Sequence, residues 1–266
     1  MRQDVLVTDA PATSPPLLRR LFAEFIGTGL LMAAVIGSGI AATRLSPQDV
    51  GLQLLENAIA TGLALTALIL MLGPISGAHF NPLVSAADWV LGHRAGHGLS
   101  LADVLTYTGA QLAGGIGGAL LANAMFDVPQ GLSHTRRATG AHFTSEIVAT
   151  AVLIVLIFAL ARTHRGALAA PAVGSVVAAG YFFTSSTFFA NIAADVPRMF
   201  SDTFAGIAPS SVPAFIGAQL IGLLVGVGII RILYPDIARV ADDVVVPHPA
   251  NPTPTYLGQE GTARVR

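Results

Sequence analysis

Two asparagines, each opening a short apolar run inside a longer apolar region, are the side chains of this chain best placed to act on a passing solute. The first stands in Ser76-Gly77-Ala78-His79-Phe80-Asn81-Pro82-Leu83-Val84, the second in Thr187-Phe188-Phe189-Ala190-Asn191-Ile192-Ala193. Asparagine is a good N-cap, and proline suits the first helical position because it has no N–H to leave unbonded. Each stretch therefore predicts a short helix that starts at its asparagine. A helix starting in mid-membrane aims the positive end of its dipole and its free N–H groups into the interior, which is tolerated only beside a cavity or pore. The chemistry available is hydrogen-bond donation to an oxygen in apolar surroundings, with no covalent step. The blander alternative is ordinary capping in the broken helices of a transporter.

Other polar groups compete for attention. Asp195 and Arg198 are three residues apart, a spacing that lets them pair on one helix face near an outer mouth. His134 and His142 lack a carboxylate or cysteine to complete a metal site and are taken as loop histidines, and His79 stays in its re-entrant loop. No nucleophile–base set is visible, so an enzyme is not expected, and no cofactor or metal is implied. The glycines Gly114, Gly115, Gly117 and Gly118 lie inside an apolar span and suit close helix packing rather than phosphate binding.

The elements that must hold these residues follow from composition. The 266 residues are 53% hydrophobic and 11% charged, with a mean hydropathy of +0.68, which points to a polytopic membrane protein in a lipid bilayer. A net charge of −1 argues against nucleic acid. Cysteine is absent, which removes disulfides and thiol chemistry. Apolar stretches of roughly the 20 residues a bilayer needs fall at about 21–42, 52–72, 104–126, 143–160, 167–183 and 212–233. These six spans, with half-helices from Asn81 to about Trp89 and after Asn191, make an all-α integral membrane fold. Residues 1–18 and 235–266 are expected to be disordered tails flanking a channel domain at 19–234. No cleaved signal peptide is expected. Arginines 2, 19, 20, 94, 162, 165, 231, 239, 264 and 266 fall on the side of the termini, against 44, 136 and 137 on the other, so both termini are expected in the cytoplasm even with the distal tail arginines discounted.

An internal repeat orders these spans. Ala23-Glu24-Phe25-Ile26-Gly27-Thr28-Gly29 resembles Ser145-Glu146-Ile147-Val148-Ala149-Thr150-Ala151, and Gly109-Ala110-Gln111-Leu112 matches Gly217-Ala218-Gln219-Leu220. Each half, about 19–126 and 142–234, has three spans with a half-helix after the second. An odd number of spans inverts one half relative to the other, so that their half-helices meet near the midplane.

The run from Ser76 to Pro82, Asn191 with Ala193, the repeated glutamates and the paired Gly-Ala-Gln together resemble the aquaporin and aquaglyceroporin family over about residues 18–234. The resemblance implies six tilted helices around a pore in every subunit, a homotetramer, and a plasma (inner) membrane location. The family's Asn-Pro-Ala is here Asn81-Pro82-Leu83 and Asn191-Ile192-Ala193, which keeps both amide donors but loses the proline of the second motif. Counting ungapped from the asparagines, the family's four constriction positions fall on Thr61, Ala179, Phe188 and Ala194. Ala194 stands where the family usually has arginine, and small residues at three of the four imply a wide, weakly polar filter. Glu24 and Glu146 read either as a proton relay or as acceptors of N–H groups from the re-entrant loops, and the resemblance implies the second. The run Ser201-Asp202-Thr203-Phe204-Ala205-Gly206-Ile207 is similar to a bacterial branch often linked to arsenic-resistance operons.

The function expected is a passive channel for small neutral solutes: water, glycerol-like polyols and arsenite. A strict water channel, an ion-coupled transporter with inverted repeats and a non-conducting homologue remain as alternatives.

Overall fold

The structure is a computed structural model that describes residues 15–93 and 96–235. Arg94 and nearly all of both expected tails lie outside the described residues. Among those described, eight α-helices follow in order: α1 (Leu17–Leu45), α2 (Val50–Ser76), α3 (Pro82–Gly92), α4 (Leu101–Met125), α5 (Gly140–Arg162), α6 (Ala169–Phe183), α7 (Ile192–Arg198) and α8 (Val212–Leu233). The first helix starts at Leu17, inside the stretch expected as a tail. At 29 residues α1 is roughly 44 Å long, more than a ~30 Å hydrocarbon core requires of an upright helix. Helices α3 and α7, with 11 and 7 residues, cannot span.

Five helical segments are long and apolar enough to cross a membrane by length and composition: α1, α2, α5, α6 with the turn before it, and α8 with the turn before it. Helix α4 is long enough at 25 residues, but its glycines, Thr106, Thr108, Gln111 and Asn123 dilute its hydropathy. Large side chains such as Leu18, Leu63, Leu105, Leu224 and Ile232 are exposed, as the outer face of a lipid-embedded bundle requires.

The halves are built alike. Helix α1 packs on α4 and α2, as α5 packs on α8 and α6, and α2 crosses α6 to join the halves. Close approach depends on glycine at matching places. A Cβ on Gly114 would collide with the carbonyl of Phe25 in α1, and one on Gly222 would stand 2.6 Å from the carbonyl of Ile147 in α5. Small residues let backbones touch where apolar side chains gain nothing over lipid.

Both half-helices begin by the same local chemistry. Asn81 caps α3 by accepting from Leu83 N at 2.9 Å, with Pro82 at the first helical position. Asn191 caps α7 by accepting from Ala193 N at 2.8 Å. Their backbones are nearly superposable, with φ and ψ of −157° and 118° against −161° and 112°.

Candidate functional site

The loops leading into the half-helices follow one path twice. Gly77, Ala78 and Phe80 have φ of +86°, +48° and +47°, and Thr187, Phe188 and Ala190, at the same offsets from their asparagine, have +63°, +56° and +45°. Five of these six are not glycine, and left-handed backbone costs an L-residue roughly 1–2 kcal/mol. Such a path persists only where surroundings over-determine it.

A buried carboxylate in each half does so. Glu24 takes the N–H of His79 at 3.0 Å and of Phe80 at 2.7 Å, the Ser76 hydroxyl at 2.6 Å and the Gln111 amide at 2.7 Å. Glu146 takes the N–H of Phe189 at 3.1 Å and of Ala190 at 2.8 Å, the Ser186 hydroxyl at 2.5 Å and the Gln219 amide at 2.6 Å. Every partner occupies a repeat-related position. Both carboxylates have four donors apiece and are fully buried.

The loops are then tied to each other. Asn81 Nδ2 donates to the carbonyl of Ala190 and Asn191 Nδ2 to that of Phe80, both at 2.8 Å. One hydrogen of each amide is thus spent holding the other half's loop, leaving the second for a solute. Both asparagines line a cavity of about 70 Å³, space for on the order of five waters at roughly 10–15 Å³ each. Its lining includes polar residues, among them Thr61, His79, Tyr181 and Arg198, and apolar ones, among them Leu65, Leu153, Val173 and Phe188.

The expected constriction residues divide. Thr61, Phe188 and Ala194 line this cavity; Ala179 does not. Tyr181, two residues farther on, does line it, with its hydroxyl 3.1 Å from that of Thr61. At roughly 100° per residue, Val173, Val177 and Tyr181 share one face of α6. Ala179 falls on the opposite face and is exposed. The ungapped count went astray by crossing the loop between α6 and Asn191.

The expected pairing of Asp195 with Arg198 is also corrected, since no ion pair within 4.0 Å joins them. Asp195 turns toward α8, where Oδ1 accepts from Gln219 at 3.1 Å, and Oδ2 is buried without a partner. Arg198 turns the other way. It donates through Nε to the carbonyl of Ala205, and its guanidinium carbon sits 3.5 Å from the centre of the Phe189 ring. Arg137, counted from the sequence only toward membrane orientation, donates to the carbonyls of Gly206 at 2.9 Å and Phe204 at 3.0 Å and lies 5.5 Å from the same ring. Burial beside these carbonyls pulls the Arg137 guanidinium below its usual pKa. Three consecutive carbonyls, 204 to 206, are therefore held by two arginines. Nothing in the residue types of 201–207 announced that.

Outside the cavity, His134 accompanies Asp202, with ring and carboxylate 2.9 Å apart, and His142 bonds Thr139 at the start of α5. Asp88 pins the following loop by accepting from Leu99 N at 2.6 Å.

Comparison with known proteins fits this geometry. The family described as "MIP: Major intrinsic protein" matches residues 11–203. "Aquaglyceroporin AqpS" of Rhizobium meliloti (strain 1021) is 44% identical over 81% of this chain and 90% of its own length. The "Glycerol uptake facilitator protein" of Pseudomonas aeruginosa is 30% identical over 93% and 98% respectively. The X-ray structure of the aquaglyceroporin from Plasmodium falciparum has the same fold, with a TM-score of 0.63 at 20% identity, covering 84% of this chain and 99% of that one.

Proposed function

The chain belongs to the major intrinsic protein family, and from that premise we propose that it is a passive membrane channel for small uncharged solutes, water and glycerol-like polyols first. The observation that carries the reading is the crossed pair of amide bonds between Asn81, Asn191 and the opposite loops, set in one cavity. A solute entering must shed water. The remaining amide hydrogens, together with loop carbonyls held in strained backbone by Glu24 and Glu146, replace those hydrogen bonds without reorganising, while the apolar lining residues accept CH groups. The half-helices direct the positive ends of their dipoles at the same point, which disfavours cations and protons. No covalent step is involved.

Stopped-flow light scattering of proteoliposomes tests this. Water and glycerol flux should exceed that of empty liposomes, rise linearly with the gradient and ignore protonophores. Saturable, protonophore-sensitive uptake would instead establish an ion-coupled transporter, and water flux alone a strict water channel. Arsenite, a neutral trihydroxide of glycerol's size, belongs in the same series. The arginine distribution supports a plasma-membrane protein with both termini in the cytoplasm. A homotetramer, each subunit with its own pore, is the assembly that membership in this family supports, and native mass spectrometry in detergent measures it.

A further inference from the structure

The position three residues after Asn191 is Ala194, so the cavity has no cation there. Arg198 supplies one from a turn farther along. It is 4% exposed and lines the same cavity as Ala194, Asn81 and Asn191. Its Nε is occupied by the Ala205 carbonyl, and its flat face by the Phe189 ring. Neither Nη has a hydrogen-bond partner among the described residues, and neither is among the buried polar atoms left unpartnered. Both therefore keep some accessible surface, on a side chain that lines the cavity. The nearest acid in sequence, Asp195, bonds Gln219 of α8 and forms no ion pair with the guanidinium.

The surroundings fix where that charge stands. Pro197 lies against Gly115 of α4, where a Cβ would come 2.5 Å from the proline ring. Phe189 is held edge-on by Phe215 at 5.1 Å, and Arg137 clamps the carbonyls on either side of Ala205. Thr61 and Tyr181 line the same cavity, joined by their hydroxyls. A guanidinium whose only duty was to staple the loop through Nε would have no reason to leave two donors accessible beside a water-sized space.

We propose that Arg198 is the charged, specificity-determining residue of the outer constriction, reaching back to the place Ala194 leaves empty. Its planar fork offers two parallel donors, which match neighbouring hydroxyl oxygens of a polyol, while its charge turns cations away. The filter is then polar and narrow rather than wide and weakly polar, and it favours compact vicinal polyols over bulkier ones. This rests on the channel reading above.

Proteoliposomes carrying wild type, Arg198→Ala, Arg198→Lys and the double variant Ala194→Arg/Arg198→Ala distinguish the outcomes, scored for water, glycerol, erythritol and sodium leak. Arg198→Ala should raise the erythritol-to-water ratio several-fold and admit sodium. Lysine should restore sodium exclusion but not the erythritol cutoff, since it lacks the planar fork. The double variant should recover both, because the arginine is returned to the position next to the asparagine. A folded Arg198→Ala protein with wild-type ratios and no leak would overturn the proposal. Should that variant not fold, Arg198→Lys decides, and an unchanged erythritol ratio overturns it. Failure of the channel reading looks different, since wild type itself would then carry nothing above empty liposomes.

Discussion

Glu24 and Glu146 show how single side chains set the path of a backbone. Each gathers two loop N–H groups, one hydroxyl and one amide, and each thereby holds non-glycine residues at positive φ. An amide in place of Glu146 would keep one acceptor oxygen, but its NH₂ would face donors from Ala190 and Gln219. Leaving a buried donor unsatisfied costs about 1–3 kcal/mol. Glu146→Gln should therefore lower stability by about 2–4 kcal/mol, read as a markedly lower midpoint in thermal unfolding of the detergent-solubilised protein. A proton-relay role predicts the reverse pattern: unchanged stability and altered pH dependence of flux. Asp202 makes a smaller clamp outside the membrane. The backbone N–H of His134, then its ring, hold the Asp202 carboxyl below the usual carboxylate range. A carboxyl depressed in the folded state contributes stability that is fully present above its unfolded value, ~3.9, and is lost as pH falls through the lower folded value. Amide exchange at His134, corrected for its intrinsic rate, should stay slow from neutral pH down to about pH 4 and quicken below it. Asp202→Asn should abolish that step; a step that survives the substitution would assign it to another group.

Between the elements, the two half-helices invite a direct comparison. Asn191 has the extended backbone that a residue before proline requires, as Asn81 has before Pro82, yet α7 starts with Ile192. Among the described residues no hydrogen bond of the Ile192 N–H supports the helix start, which relies on the Asn191 cap to Ala193. Ile192→Pro should therefore stabilise the protein by about 0.4–1 kcal/mol through the unfolded chain while leaving water flux unchanged. A destabilised variant would mean that the isoleucine side chain packs in a way proline cannot copy. Helix starts of this kind were legible beforehand, because caps and apolar run lengths are local and each span ended within a few residues of its expected place. The direction of a side chain is a tertiary property. Tyr181 was missed because the position of α6 relative to Asn191 depends on the left-handed turn at Thr187 and Phe188, which a residue count does not contain. Asp195 and Arg198 had the right spacing to pair, but Gln219 and the Ala205 carbonyl offered each a partner from another element. Arg137 looked like a loop charge because the carbonyls it binds lie 67 to 69 residues away.

Across the whole molecule, α4 is the helix whose membrane position depends most on the rest. It is absent from the segments apolar enough to cross alone, yet it lies between α1 and both half-helices. Its larger polar side chains are bonded to other elements, Tyr107 to the carbonyl of Ser76, Gln111 to Glu24 and Asn123 to the carbonyl of Phe200, while Thr106 and Thr108 bond carbonyls of α4 itself. Its glycines, poor in apolar area for lipid, are what allow α1 to approach. The same residues that make α4 a weak span in isolation make it a strong one in the bundle, because polar groups in hydrocarbon are stable only when satisfied within the protein. An isolated segment covering Leu101–Met125 should insert poorly in a translocon assay, where segments as apolar as α5 or α8 insert well. In the full chain, a glycosylation acceptor placed in the loop at 127–139 should nevertheless be modified, putting that loop on the side opposite the termini. The inverted repeat requires this: with six spans the halves are antiparallel and the half-helices enter from opposite faces, whereas five would make the halves unequal. An unmodified acceptor in the loop, with one in the segment 46–49 modified efficiently, would leave α4 outside the membrane. It would then dissolve the symmetry on which the crossed asparagine bonds depend.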